Sequence, residues 1–257
     1  MQPEPAAPAV QVRGLAKRFG PVVAVAGVDL DVHRGSFFGL VGPNGAGKTT
    51  TLAMVSGLLR PDSGDARVAG VDVWAQPLEA RRRMGVLPEG LRLFERLSGR
   101  ELLTFSGRLR GLPAAEVEER GAELLGVLGL TGAGNQLVVD YSTGMRKKVA
   151  LAAALLHNPP VLFLDEPFEA VDPVSARTIR DVLQAYTGRG GTVVLSSHVM
   201  ELVERLCDDV AVLVGGRVVA AGPLDQVRAG RPLEDVFVEL AGGGTAGQEG
   251  LGWLGAR

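Results

Sequence analysis

A single cysteine, Cys207, stands in the 257-residue chain, so no intrachain disulfide can form and a cystine-stapled scaffold is excluded. That thiol reads as a small, buried, apolar helix residue. Aromatic residues are scarce, at 5%, while hydrophobic residues overall reach 46%. The core must therefore be assembled from Val, Leu and Ala, which suits a buried parallel sheet under covering helices. Neither sign of charge prevails: 27 basic against 29 acidic residues leave a net charge of −2. This balance excludes a general electrostatic grip on nucleic acid, which needs a basic face, so no nucleic-acid partner is expected. Arg81-Arg82-Arg83 and Arg146-Lys147-Lys148 read as solvated helix faces. Long hydrophobic runs are missing too. The longest, residues 149–156, stops at His157-Asn158-Pro159-Pro160, well short of the roughly 20 residues a bilayer requires. The opening MQPEPAAPAV carries Pro and Glu in place of a basic start and an apolar run, so no secretory leader is expected. Any membrane role would have to come through a partner.

What is present is an alternation of short apolar strands and amphipathic helices. Residues 1–8 read as a flexible tail. Between 10 and 41 short apolar stretches alternate with turn residues; Val28, Leu30 and Val32 have strand spacing, and residues 37–41 form a compact apolar strand. The stretch TTLAMVSGLL predicts a helix closed by Arg60-Pro61, and residues 65–73 a strand pair turning at Gly70. Residues 75–158 read as mainly helical. Ser98 and Glu101 are spaced as a capping box, and Pro113 opens a second helix. Beyond Pro160, VLFLD, a helix over 174–186, TVVLSS and a helix over 199–207 imply right-handed crossovers and a parallel sheet. DVAVLVGGRVVAAG reads as a hairpin turning at Gly215-Gly216. Residues 241–257 are Gly-rich and read as disordered, with Trp253 a weakly packed tail residue. There is no internal repeat.

Two local patterns carry chemistry. Gly42-Pro43-Asn44-Gly45-Ala46-Gly47-Lys48-Thr49 fits the G-x-x-x-x-G-K-[ST] phosphate loop, between a predicted strand and a predicted helix. Its glycines let successive N–H groups face phosphate oxygens, and the helix that follows presents its positive end to the same anion. Lys48 supplies a charge for the β- and γ-phosphates, Thr49 a hard oxygen for Mg²⁺, and Thr50 belongs to the same cradle. The second pattern is the apolar strand VLFLD ending in Asp165-Glu166. An acid pair there is costly unless a metal or a reacting group uses it. Asp165 would serve Mg²⁺, and Glu166 the attacking water.

Through these two motifs the chain resembles the ATP-binding cassette ATPase family over residues 10–238. Four further elements follow in the family's order: Phe19 in KRFG, Glu89 in GVLPEG, Tyr141-Ser142-Thr143-Gly144-Met145, and the pair formed by Asp172 in AVDP and His198 in SSH. The resemblance implies that Phe19 stacks on adenine and that Glu89 meets Mg²⁺ where the family has a loop glutamine. It implies that Ser142, Thr143, Gly144 and Asp172 serve the ATP held by a second copy in a head-to-tail dimer, and that His198 senses the γ-phosphate. The implied fold is α/β: a P-loop NTPase core with a mostly parallel sheet, an N-terminal antiparallel β subdomain and a helical subdomain at about 88–160, within a cassette spanning 9–240.

The implied activity is ATP + H₂O to ADP + phosphate, with catalytic residues Glu166, His198 and Lys48, metal-site residues Thr49, Glu89 and Asp165, and ATP and Mg²⁺ as cofactors. The implied partner is a separate membrane permease, met through an apolar surface of Leu91, Leu93 and Phe94, which places the chain in the cytoplasm on the inner face of the membrane without a span of its own. Thr143, Met145, Glu89 and Val171 depart from the family pattern, and similar variants occur in bacterial export ATPases for antibiotics, drugs or polysaccharides. Two competing readings stay open at this point: a cassette ATPase of translation or DNA maintenance, which would carry a second cassette or a long heptad insertion, and a nucleotide-binding regulator without turnover.

Overall fold

The computed structural model describes residues 7–90 and 92–242. Most of the two expected tails, together with Leu91 and Trp253, therefore lies outside the described residues. In chain order the strands and helices are β1 (Val10–Phe19), β2 (Val22–Val32), β3 (Phe37–Val41), α1 (Lys48–Val55), β4 (Ser63–Val68), β5 (Val71–Asp72), α2 (Pro77–Arg82), β6 (Met84–Leu87), α3 (Gly99–Leu109), α4 (Ala114–Val127), α5 (Thr143–Leu155), β7 (Val161–Asp165), α6 (Pro173–Thr187), β8 (Thr192–Ser197), α7 (Met200–Leu206), β9 (Asp209–Val214), β10 (Arg217–Pro223), α8 (Leu224–Arg228) and α9 (Leu233–Leu240).

Six strands make the central sheet in the order β10-β9-β3-β8-β7-β6, and β2-β1-β4-β5 make a second, antiparallel sheet. In the central sheet only β10 runs antiparallel to its neighbour. Strands β3, β7 and β8 are buried along their whole length, as expected of parallel strands covered on both faces. Their side chains divide by the two-residue period. Phe37, Val41, Leu162, Leu164, Val193 and Leu195 join helices α3 to α7 in one core, while Phe38, Leu40, Phe163 and Val194 join α1 and the antiparallel sheet in the other. Each such burial contributes about 1.5–3 kcal/mol.

Local signals explain the helices around the sheet. Ser98 caps α3 in the expected box: its hydroxyl accepts from Glu101 N–H at 3.3 Å, and its own N–H donates to Glu101 Oε2 at 2.8 Å. Pro113 precedes α4 as its cap residue. Cys207 is buried at the end of α7, and burial pushes its thiol pKa up.

Three features depart from the sequence reading. The segment 84–87, inside a stretch expected to be helical, is the edge strand β6, paired in parallel with β7. The region 10–32 forms two long strands; Val28, Leu30 and Val32 alternate as expected at the end of β2, while register shifts between Val12 and Leu15, Leu15 and Ala16, and Lys17 and Arg18 break the alternation over the rest. The basic cluster on α5 is no solvated face. Lys148 is buried, and half-buried Arg146 donates to the carbonyls of Tyr141 (3.2 Å) and Val139 (2.8 Å) and to Glu95 (3.1 Å).

Where α5 ends, half-buried His157 links the helical layer to the sheet edge. Its Nε2 lies 3.0 Å from the Met84 carbonyl of β6 and 2.8 Å from Arg110 Nη1 beyond α3, while its buried Nδ1 has no partner. Burial lowers the His157 pKa from 6.5 to about 4; the charges of Arg110 and Arg120 push the same way, and the Met84 carbonyl opposes them.

Candidate functional site

The parallel register assembles the site. Val41 is paired with Ser197, Asp165 with Ser196, and Leu87 with Leu164. The residues that leave the carboxyl ends of four neighbouring strands, Gly42, His198, Glu166 and Glu89, therefore emerge side by side, where open α/β sheets hold ligands.

The loop 42–47 runs into α1, whose first residue is Lys48. Gly47 caps that helix at φ 103°, and a Cβ there would lie 2.4 Å from the Ala24 carbonyl oxygen of β2. Only glycine meets both conditions. The loop is further held by the hairpin turn between β9 and β10: Gly216 N–H donates to the Ala46 carbonyl at 3.0 Å, and the Gly216 carbonyl accepts from Ala26 N–H at 2.8 Å. Lys48 is 6% exposed and curls back over the loop, donating to the carbonyls of Gly42 (2.7 Å) and Pro43 (3.3 Å). Those weak acceptors are the kind that an anion in the loop would replace.

Around Lys48 stand the acids. Thr49 Oγ1 donates to Glu89 Oε2 at 3.0 Å and approaches Asp165 Oδ1 at 3.3 Å. The Asp165 carboxylate also accepts from the Ser196 hydroxyl. Burial pushes the Asp165 pKa above its ordinary value; hydrogen bonds from Ser196 and Thr49 oppose this, and the charge of Glu89 adds to it. Glu166 Oε1 lies 3.8 Å from Lys48 Nζ and 3.0 Å from His198 Nδ1. Glu166 itself adopts φ 44°, a left-handed conformation costly for a residue with a side chain. Its N–H donates to Ser196 Oγ at 3.0 Å, and its carbonyl accepts from Lys147 Nζ at 2.5 Å. Burial lowers the Lys147 pKa, while the negative charges of Glu169, Glu166, Asp165 and Glu89 favour its cationic form.

Lys48, Thr49, Glu89, Asp165, Glu166 and His198 are thus joined by one chain of contacts. Ser196 and Lys147 belong to it as well, and neither carried a motif of its own; the only trace was their nearness in sequence to His198 and Gly144. The remaining candidates lie apart. Ser142 caps α5, accepting from Met145 N–H at 3.3 Å, and Thr143 is exposed, so its β-branched side chain meets solvent. Gly144 is buried against the start of α6: a Cβ there would fall 2.8 Å from Ser175 Oγ and 2.9 Å from Asp172 Oδ2. Asp172 caps α6, accepting from Ser175 N–H (2.9 Å) and Val174 N–H (3.1 Å), and these bonds hold its carboxyl below the usual range. Phe19 is half exposed at the end of β1, with Lys17 Nζ 5.8 Å from its ring centre. Among the described residues no hydrogen bond or ion pair joins Phe19, Ser142, Thr143 or Gly144 to the phosphate loop.

Oxygen donors from Thr49, Glu89 and Asp165 converge beside the anion cradle, and their hardness and excess negative charge suit Mg²⁺. The ensemble can bind a phosphoanhydride, neutralise charge on its transferring group and orient a water against it.

Comparison with known proteins agrees with this chemistry. Residues 25–169 match the family model described as "ABC transporter". The chain is 41% identical over 221 residues to the daunorubicin/doxorubicin resistance ATP-binding protein DrrA of Streptomyces peucetius, covering 86% of this chain and 67% of that protein. It is 38% identical over 216 residues to the ABC transporter ATP-binding protein NatA of Bacillus subtilis, covering 84% and 88%. Among solved structures it is similar to an ATP-binding subunit of an ABC transporter, with TM-score 0.84, 32% identity and coverage of 90% and 99%. A dimeric ATP-binding cassette in a post-hydrolysis state with ADP and Pi gives TM-score 0.76, 25% identity and coverage of 84% and 98%.

Proposed function

The chain belongs to the ABC transporter family as an ATP-hydrolysing, ATP-binding subunit, and from that premise we propose that it drives export of a small compound, of the kind its resistance-conferring relatives handle, through a separate membrane permease. The names of its relatives favour export: resistance to daunorubicin, resistance to linearmycin in Bacillus subtilis, and Nod factor export in Cupriavidus pinatubonensis. Among the described residues no helix is long and apolar enough to cross a membrane, which fits a division of labour with a permease on whose cytoplasmic side the cassette sits.

The observation that carries the mechanism is the convergence of Lys48, Thr49, Glu89, Asp165, Glu166 and His198 at the carboxyl ends of four adjacent strands. In the proposed reaction Lys48 turns from the Gly42 and Pro43 carbonyls to the β- and γ-phosphates, which the loop amides from Asn44 to Thr50 would also meet. Thr49, Glu89 and Asp165 would hold Mg²⁺, which when bound supplies positive charge to the phosphate oxygens. Glu166 orients the attacking water and accepts its proton, while His198, already on the Glu166 carboxylate, reaches the γ-phosphate. Phe19 offers its exposed face to adenine.

Ser142, Thr143, Gly144 and Asp172 are assigned to the triphosphate of a second copy. The helix α5 presents its positive end there, and Gly144 keeps the turn tight against Asp172. The cassette is taken as 9–240, with its helical part at about 88–160. Half-buried Leu93 and exposed Phe94, which packs edge-to-face on Phe105 at 4.9 Å, form the proposed permease contact.

The test is phosphate release by the wild type and by Glu166→Gln. The variant is expected to bind ATP normally and to lose at least about a hundredfold in turnover. A wild-type protein that binds ATP without turnover would instead make it a nucleotide-controlled regulator.

A further inference from the structure

Lys147 has no part in the proposed reaction, yet its ammonium donates to the Glu166 carbonyl at 2.5 Å, the one side chain to do so among the described residues, beside the longer backbone bond from Glu169 N–H at 3.3 Å. On an exposed face of α5 it would extend into water at no cost. Here it is half buried, surrounded by the charges of Glu169, Glu166, Asp165 and Glu89. Burying an ammonium requires compensation, and the carbonyl together with these acids provides it.

The contact falls at the strained point of the site. Glu166 sits at φ 44°, and a side-chain-bearing residue persists there only when its surroundings fix it. Ser196 Oγ, accepting at 3.0 Å, fixes the peptide before Glu166, and Lys147 fixes the peptide after it. Between the two clamps the carboxylate is aimed at Lys48 (3.8 Å) and His198 (3.0 Å). Lys147 also lies on the helix whose first turn is Ser142-Thr143-Gly144, so the element assigned to the second copy's triphosphate is tied directly to the acid assigned to this copy's water.

We infer that Lys147 is a positioning residue for hydrolysis: by holding the Glu166 carbonyl it keeps the Glu166 carboxylate aimed at the phosphate-loop lysine, and it couples the position of α5 to that aim. This rests on the assignment of Glu166 as the residue that handles water.

The experiment compares wild type, Lys147→Met, Lys147→Gln, Lys147→Arg and Glu166→Gln as full chains, measuring kcat and KM for ATP, affinity for a fluorescent ATP analogue, and thermal midpoint. A misdirected carboxylate lowers kcat about tenfold or more, because misplacement by about 1 Å can cost a hundredfold. Lys147→Met and Lys147→Gln are therefore expected to show that loss, with KM and analogue affinity within about threefold of wild type. Lys147→Arg, which restores a long cationic donor, should recover about a third of the rate or more. If Lys147→Met does not fold, Lys147→Gln and Lys147→Arg give the same comparison. Turnover within twofold of wild type in the Met or Gln variant overturns the inference, as does a loss of kcat that merely tracks a fallen thermal midpoint and lost nucleotide binding. Glu166→Gln separates the two layers: if it hydrolyses ATP at the wild-type rate, the assignment of Glu166 fails; if it is dead while Lys147→Met is active, only the role of Lys147 fails.

Discussion

Replacing His157 by glutamine should remove a defined part of the protein's acid sensitivity. In the folded chain the imidazole is held neutral, with a pKa lowered from 6.5 to about 4 chiefly by burial. The unfolded chain takes up the proton first, so between these two values it binds more protons than the folded chain and stability falls as pH falls. The contribution is fully present above pH 6.5 and is lost progressively down to about pH 4. At pH 5 the loss amounts to about 2 kcal/mol, and below pH 4 it reaches about 3 kcal/mol. For a chain of this size about 2 kcal/mol lowers the melting temperature by about 4–8 °C. Glutamine can accept from Arg110 and donate to the Met84 carbonyl at the same time, a combination that the single His157 Nε2 cannot offer, as it faces both groups. His157→Gln should therefore stay within about 1 kcal/mol of wild type at pH 7.5 and lose about 2 kcal/mol less on going to pH 5. Urea unfolding of both proteins at pH 7.5, 6.5, 5.5 and 5.0 reads this directly, and the other titrating groups cancel in the difference. Parallel pH profiles for the two proteins would refute the reasoning.

Other expectations follow from single contacts. Gly47→Ala combines a left-handed φ with a Cβ 2.4 Å from the Ala24 carbonyl oxygen; it should cost at least about 2 kcal/mol and abolish ATP binding, read by calorimetry and by nucleotide titration. Ser98→Ala removes the hydroxyl that caps α3 and should lower stability by about 1 kcal/mol, or about 2–4 °C in melting temperature, with ATP turnover by the isolated chain unchanged. Phe94→Asp changes an exposed ring and should leave ATP hydrolysis by the isolated chain intact while export by cells carrying the permease drops; unchanged export at equal protein levels would remove this surface from the proposal.

What could be read from the chain in advance was whatever has a local signature. The strand–loop–helix setting of residues 37–55, the strand VLFLD that ends at Asp165 and the Ser98–Glu101 cap each depend on neighbours within a few residues, and each of these local structures forms as expected. The fully buried strands were legible because burial on both faces leaves an unbroken apolar run. Strand β6 was not, since four residues after three arginines show no period and its strand character comes only from pairing with β7. The α5 basic cluster misled for a related reason: besides nearby carbonyls, Arg146 reaches Glu95, and Lys147 reaches Glu166, partners distant in sequence. A solvated face and a buried clamp have the same local spelling. Likewise His157 carries no sequence mark of its burial, which arises where α5 meets β6 and the end of α3.

The hairpin residue Gly216 touches the phosphate cradle with its amide and the antiparallel sheet with its carbonyl. The two peptide units that flank its Cα act together as a rivet between the hairpin, the cradle and β2. A tilt of β2 relative to the cradle would strain one of these two bonds, so the hairpin turn ties the position of the loop to that of the antiparallel sheet.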